Sequence, residues 1–318
     1  MRIVYVTDLH GSTMAFEKAI NAAIYYDANF LLFGGDLSGK KLLPLIKISN
    51  GEYKISEPFV EKGEDGNVVE VPIERFVSEK DLTLFLKRIE AKGWYWLETN
   101  IERLQYLNQN INELRQLFDD KIVERLLDWS KIISEQLPEE INCYWTGGND
   151  DSESFLNNLL GHDLGKFQYS ENKIVELQGY EMMSLGYSNK TPFKTERELE
   201  EEELFNKLML LFSRVKNKER LILNVHVPPY NCGKLDLVID PKNHTRYKNV
   251  GSTAVRKFIE EIHPIVDFTG HIHEGKGRAQ IGRTQVFNPG SEFYQGLLYG
   301  YVVDISGSII KDYVHFIR

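Results

Sequence analysis

Five short apolar runs, each rich in β-branched or aromatic residues, constrain this chain more than any other feature, because side chains able to bind a metal follow every one of them. The runs are Ile3 to Val6, Phe30 to Phe33, Ile141 to Trp145, Leu221 to Val225 and Ile265 to Phe268. Segments of this length and composition read as buried strands. Asp8 and His10 follow the first, Asp36 the second, and Asn149, Asp150 and Asp151 the third. His226 follows the fourth, and His271 and His273 the fifth. Helical patterns at 12–27, after the first run, and 195–217, before the fourth, favour βαβ units with parallel pairing. Ligands of open α/β sheets bind beyond the carboxyl ends of the strands, so five ends in one sheet would gather these side chains into one cluster.

The cluster would hold two Asp, one Asn and four of the eight histidines. Imidazole mixed with carboxylate and amide oxygen suits Mn, Fe, Zn or Co, and no thiolate set competes, since Cys143 and Cys232 stand far apart. Seven ligands are too many for one tetrahedral zinc that keeps a position open, so two divalent metal ions are expected. Paired ions are the recurrent clamp for phosphoryl displacement. Asp8 and Asp36 cancel only part of the charge of two such ions, leaving a positive well that would attract a small phosphate ester. Glycines at 34, 35, 147, 148 and 270 read as places where the backbone turns sharply or approaches the ions closely.

At 318 residues the chain exceeds the usual limit of one core, about 250–300, so one large domain with an insertion, or two domains, is expected. Residues 41–140 have a different texture from their surroundings. A turn-rich, hairpin-like stretch over 45–75 holds GEDGN at 63–67, and a helical stretch over 79–137 lacks Gly and Pro from Trp94 onward. Leu97, Ile101, Leu104, Ile111, Leu114 and Phe118 form an apolar stripe suited to packing on another helix. A break near Asp119 and Asp120 would give a helical hairpin, whereas an unbroken helix of ~66 Å would be an arm or the seam of a homodimer. The plainer expectation is a packed helical cap. In the closing third, short alternating runs at 278–288 and 298–316 point to antiparallel strands, so the sheets should be mixed.

Charge narrows the partners. With 38 basic and 47 acidic residues the net charge is −9, which disfavours binding to duplex DNA. The acidic tract ERELEEEEL at 196–204 reads as a solvated helix face, because unspaced Glu lacks the turns of a calcium loop. No apolar run approaches the ~18 residues of a membrane span, and MRIVYVTDLH has no secretory core, so a cytoplasmic location is expected.

The motifs DxH at 8–10, GD at 35–36, GN at 148–149, a strand-terminal His226 and GHxH at 270–273, in that order, resemble the calcineurin-like metallophosphoesterase superfamily. NVHVPPYNCGKLD at 224–236, GHIHEGKGRAQIG at 270–282, NPGS at 288–291, TPFKTERE at 191–198 and GDLSGK at 35–40 look like the branch related to bacterial cyclic-AMP phosphodiesterases. The resemblance implies an α/β fold, a four-layer α-β-β-α sandwich of mixed sheets spanning 1–318, with 41–140 as a largely helical insertion. It implies Asp8, His10 and His273 on one metal, Asp36 as a bridge, and Asn149, His226 and His271 on the second. It further implies hydrolysis of phosphodiesters or phosphomonoesters through a metal-bridging hydroxide, with His226 counted among the catalytic residues.

One position departs from the pattern. Many phosphatases of this superfamily carry His after the motif Asn to protonate the leaving oxygen, and this chain has Asp150. A carboxyl with a reference pKa near 3.9 is ionised at neutral pH unless its site raises that value. Asp150 is therefore a catalytic acid only in a special environment and otherwise orients a ligand, and diester or nucleotide-like substrates with good leaving groups are favoured. Asp151 reads either as an acceptor for a ligating His or as the N-cap of a helix near 152–160. Lys40, His244 and Arg246 are candidate phosphate contacts.

Two rivals are weaker. GGDLSGKK at 34–41 nearly spells a phosphate-cradling P-loop, but Lys41 stands where a magnesium-binding hydroxyl is required and Pro44 would spoil the helix. The other is a catalytically silent metal-binding scaffold that uses the helical insertion for partner binding, against which the intact ligand set speaks.

Overall fold

The structure, a computed structural model, describes residues 1–48, 52–62, 68–240 and 243–318. The chain opens with a βαβ unit in which β1 (Arg2–Val6) and β2 (Phe30–Phe33) pair in parallel across α1 (Thr13–Tyr25), whose first turn is capped by Ser12. Next come β3 (Leu42–Lys47), β4 (Glu52–Lys62), β5 (Val68–Ser78), α2 (Glu79–Ala91) and β6 (Tyr95–Thr99). These strands form a separate sheet, ordered β5-β4-β3-β6, over a small core that includes Leu43, Leu45, Ile55, Phe85 and Ile89. Helices α3 (Ile101–Gln109) and α4 (Ile111–Gln136) lead to β7 (Asn142–Trp145), α5 (Glu153–Leu159) and β8 (Phe167–Tyr169). The chain continues through β9 (Ile174–Leu177), β10 (Tyr180–Leu185), β11 (Ser188–Asn189), β12 (Glu198–Leu199), α6 (Glu201–Phe212) and β13 (Leu221–Val225). A hairpin of β14 (Leu237–Asp240) and β15 (Asn243–Asn249) precedes α7 (Thr253–Ile262) and β16 (Val266–Phe268). It closes with β17 (Gly277–Ile281), β18 (Thr284–Asn288), β19 (Tyr299–Ser306) and β20 (Ile309–Ile317).

Two six-stranded sheets, β20-β19-β1-β2-β7-β8 and β17-β18-β16-β13-β10-β9, carry the architecture. Successive side chains of a strand point to opposite faces, and here both faces are apolar. Ile3, Tyr5, Phe30 and Leu32 meet Met182, Ile222, Phe268 and Phe287 between the sheets. Val4, Val6, Leu31 and Phe33 point outward to pack with Phe16 of α1, Trp129 of α4 and Leu156 of α5. Leu223 and Val225 do the same with Leu208 of α6 and Phe258 of α7. The result is a four-layer α-β-β-α sandwich, with parallel strands at the centre of each sheet and antiparallel hairpins β19-β20 and β17-β18 at the edges.

Three expectations change. The five ligand-bearing ends do not share a sheet: β1, β2 and β7 lie in one, β13 and β16 in the other. A strand buried on both faces reads as a continuous apolar run, and such a run carries no sign of which sheet it joins. The helical stretch 79–137 contains a strand, β6, paired in parallel with β3. Its helices divide at Asn110, while α4 runs unbroken through Asp119 and Asp120. The second half of α4 buries Ile122, Leu126, Trp129 and Ile133 in the main core, where the Trp129 ring stacks on Phe16 at 4.3 Å. That half is a layer of the sandwich, not a free arm.

Finally, the acidic tract is only partly solvated. Arg197 and Glu198 are buried, and Glu201 accepts hydrogen bonds from Ser252 Oγ and Ala254 N at the start of α7. The GEDGN turn at 63–67 lies outside the described residues.

Candidate metal centre

Stacked sheets whose central strands run parallel bring the carboxyl ends of β1, β2, β7, β13 and β16 to a common edge. Asp8, His10 and His273 place one ligand atom each within 4.8 Å of one another, and so do Asp36, His226 and His271. His10, Asp36 and Asp150 satisfy the same test, so the two groups adjoin. Asn149 joins the second group, with Oδ1 at 3.2 Å from His226 Nε2. Asp36 Oδ2 lies 3.4 Å from His226 Nε2 and 3.8 Å from His10 Nε2, between the two. All seven side chains expected to ligate are thus brought together.

Backbone contacts aim them. His226 Nδ1 lies 2.9 Å from Gly34 O and His10 Nδ1 lies 3.3 Å from Ser38 O, which turns each Nε2 toward the centre. Asp36 Oδ1 accepts from Asp150 N at 2.9 Å, and both oxygens of Asp8 accept from His271 N at 3.1 Å. Asp8, His10, Asp36 and His271 all have positive φ, between 42° and 65°. Each such residue stores strain of order 1–3 kcal/mol, and here it is concentrated where the ligands converge. The glycines fill the role read from the sequence at two positions in particular. A Cβ on Gly148 would stand 2.1 Å from Asp36 Oδ1, and one on Gly270 would stand 2.3 Å from Asp8 Oδ2.

The protonation pattern follows from crowding. Burial would raise the Asp8 carboxyl, but His273, His226 and His10 hold it well below the carboxylate range. Burial lowers His226, yet Asp36 and Asp8 outweigh it and raise the imidazole to about 10. His271 is pushed down to about 4 by burial and by His226, and His10 falls well below its ordinary value through burial, Lys40 and His273. His273 is raised, since its hydrogen bond to Asp8 overcomes burial.

The donor set fits divalent ions. His10 Nε2 and His273 Nε2 face each other at 3.1 Å, a contact that two imidazoles can satisfy with one shared proton at most. Asp8 Oδ1 is 3.4 Å from the same His273 nitrogen. Nitrogen and oxygen donors that converge on shared space, with no thiolate among them, match the preferences of Mn, Fe, Zn or Co. Both cysteines are buried and free.

Around the centre, Asp150 is paired. Its Oδ2 lies 2.5 Å from Lys40 Nζ, and its Oδ1 accepts from Asn149 Nδ2 at 3.2 Å. Asp151 takes neither role expected of it. It accepts from Leu37 N, Ser38 N and Gly148 N, tying the β2 loop to the β7 loop, while Ser152 caps α5. Arg246 is exposed on β15, and His244 lies on the same strand.

Three further residues escaped the sequence reading. Phe293 sets its ring 4.8 Å from that of His10 and 6.3 Å from that of His273, forming an apolar wall. Arg197 braces the 147–149 loop from behind, donating to Gly148 O and Glu153 and pairing with Glu171, which itself accepts from Gly147 N. Thr195 accepts from Asn149 Nδ2 at 2.9 Å. The only trace of the last two in the sequence is the TPFKTERE segment.

A four-layer sandwich with mixed nitrogen and oxygen donors at the strand ends of both sheets is the layout of the metallophosphoesterases. The chain belongs to the calcineurin-like phosphoesterase family, which matches residues 1–275. One relative, Uncharacterized protein MJ1162 of Methanocaldococcus jannaschii, is 32% identical over 176 residues, 55% of this chain and 72% of its own. One solved structure aligns over 94% of this chain and 93% of its own at 15% identity with a TM-score of 0.54, a likeness of fold alone. TT1561 of Thermus thermophilus aligns over 94% and 92% at 15% identity with a TM-score of 0.45, a likeness that carries no argument. Among the described residues no helix is long and apolar enough to cross a membrane.

Proposed function

We propose that this protein is a dinuclear metal-dependent phosphoesterase, with phosphodiesters or nucleotide-like esters favoured over alkyl phosphomonoesters. The observation that carries the reading is the pair of adjoining donor groups, Asp8–His10–His273 and Asp36–His226–His271, with Asn149 beside the second. The first group would hold one ion, the second with Asn149 the other, and Asp36 would touch both. Two divalent ions bound there supply Lewis acidity toward phosphoryl oxygen and lower the pKa of bound water.

The chain's own residues do the rest. His226 is fixed by Gly34 O, so it presents a single nitrogen to the centre. Asp150 has both oxygens engaged as acceptors, from Lys40 and from Asn149, which suits an orienting role better than proton donation. With no strong acid at that position, leaving groups that need little protonation react best, and hence diesters are favoured. Lys40, half exposed beside Asp150, is the cation available to a phosphoryl oxygen. Residues 41–140 act as a cap in this proposal. Asn112, Arg115 and Phe118 of α4 face Ser38, Gly39 and Asp150 across a cleft of about 400 Å³ that opens beside the centre.

Metal-stripped protein reloaded with Mn²⁺, Zn²⁺ or Fe²⁺ and assayed on matched nitrophenyl monoester and diester tests the proposal. Metal-dependent turnover with the diester preferred is the expected result. No turnover of either ester by the reloaded protein would overturn it and favour the silent scaffold.

A further inference from the structure

We infer that Thr195 is a positioning residue that decides which end of the Asn149 amide faces the metal centre. The inference rests on the proposed binding of two ions. Only the oxygen of an Asn side chain can ligate a cation, so the amide has a right and a wrong orientation. Both amide hydrogens are engaged away from the centre, one donated to Thr195 Oγ1 at 2.9 Å and one to Asp150 Oδ1 at 3.2 Å.

What makes Thr195 directional is its own single hydrogen, which goes to Glu198 Oε1 at 2.8 Å. The hydroxyl oxygen can then only accept from Asn149. Glu198 is a committed acceptor, since Thr191 N, Thr191 Oγ1 and Thr195 N also donate to its carboxylate, at 2.9, 2.5 and 2.9 Å. Burial tends to raise this carboxyl, and those donors bring it below its ordinary value, which keeps it ionised at neutral pH. The chain of bonds from Asn149 through Thr195 to Glu198 therefore has one sense, and it leaves Asn149 Oδ1 facing His226 Nε2 at 3.2 Å. A flipped amide would set oxygen against the Asp150 carboxylate and the Thr195 lone pairs, and would turn N–H groups toward the ion. Thr195 acts through Asn149 and touches neither metal nor substrate.

Mn²⁺ binding to the metal-free full-length protein, followed by calorimetry for wild type, Thr195→Val and Thr195→Ser, tests the relay. Val keeps the shape and removes both the lone pairs and the hydrogen. Wild type should take two ions. T195V should hold one of them about 10- to 100-fold more weakly, the usual effect of losing an outer-shell partner, and the other within about twofold. T195S should recover wild-type binding, and all three metal-free proteins should melt within a few degrees of one another. Wild-type affinity for both ions in T195V overturns the inference. So does equal weakening of both ions with a lowered melting temperature, which would mark general loss of structure. A wild type that takes fewer than two ions overturns the dinuclear reading itself, an outcome separable from the others because it appears before any substitution.

Discussion

Asp267 is the residue whose surroundings contrast most with its chemistry. It lies in β16 directly opposite Leu223 and Val286, so its carboxyl points into the apolar layer beneath α6 and α7. Neither oxygen has a hydrogen-bond partner among the described residues. Burial pushes this carboxyl well above its ordinary value of 3.8, so the native chain keeps a proton that the unfolded chain releases. Between those two values the native state binds more protons. Its contribution to stability is therefore full below the ordinary value and is lost as pH rises through the native one. Asp267→Asn should remove that dependence and exceed wild type in stability near pH 8, with the gap closing toward acid by up to about 1.4 kcal/mol per pH unit. Urea unfolding of both proteins across that range checks this, and parallel stability curves would contradict it.

Close backbone approach makes a second residue-scale prediction. Gly148→Ala forces a Cβ to within 2.1 Å of Asp36 Oδ1, so the carboxylate must shift. A misplacement of that kind should lower kcat/KM by about 100-fold while the fold persists, and unchanged kinetics would show that Asp36 does not need its present position. The ligands themselves were legible because each directly follows an apolar run. Thr195 and Phe293 were not, since they act from loops through a hydrogen bond and a ring contact that have no periodicity.

Among the elements, the 195–198 segment does more than its acidic sequence suggests. Arg197 is only 1% exposed and joins Glu153, Glu171 and Gly148 O, while Glu171 also accepts from Gly186 N and Tyr169 Oη. Removing one member of a buried ion pair strands the other charge. Arg197→Met should accordingly cost about 3–5 kcal/mol in chemical denaturation, and a loss under about 1 kcal/mol would place the pair with weak surface bridges. The tract misled sequence reading because a Glu-rich run is ordinarily solvated, and nothing local distinguishes the buried Glu198 from its exposed neighbours. Strand β6 was missed for a different reason. Its residues Tyr95, Trp96 and Leu97 fit a helical stripe as well as a strand, and only pairing with the distant β3 decides between them. The β2 and β13 runs, by contrast, were legible to the residue, because β-branched and aromatic side chains are bounded there by glycine or by the ligand itself.

For the whole molecule, the division of the five strands between two sheets could not be read from the sequence, since pairing is non-local and all five runs are apolar on both faces. Stacking nonetheless produces the cluster that a single sheet would have produced, because both sheets present their carboxyl ends at the same edge of the sandwich. An acidic protein of net charge −9 thus gathers imidazole, amide and carboxylate donors from residues as far apart in sequence as Asp8 and His273. The most direct measurement is anomalous diffraction from crystals grown with Mn²⁺. The account predicts two manganese peaks, one against Asp8, His10 and His273 and one against Asn149, His226 and His271, with Asp36 touching both. A single peak, or peaks away from these side chains, would contradict it.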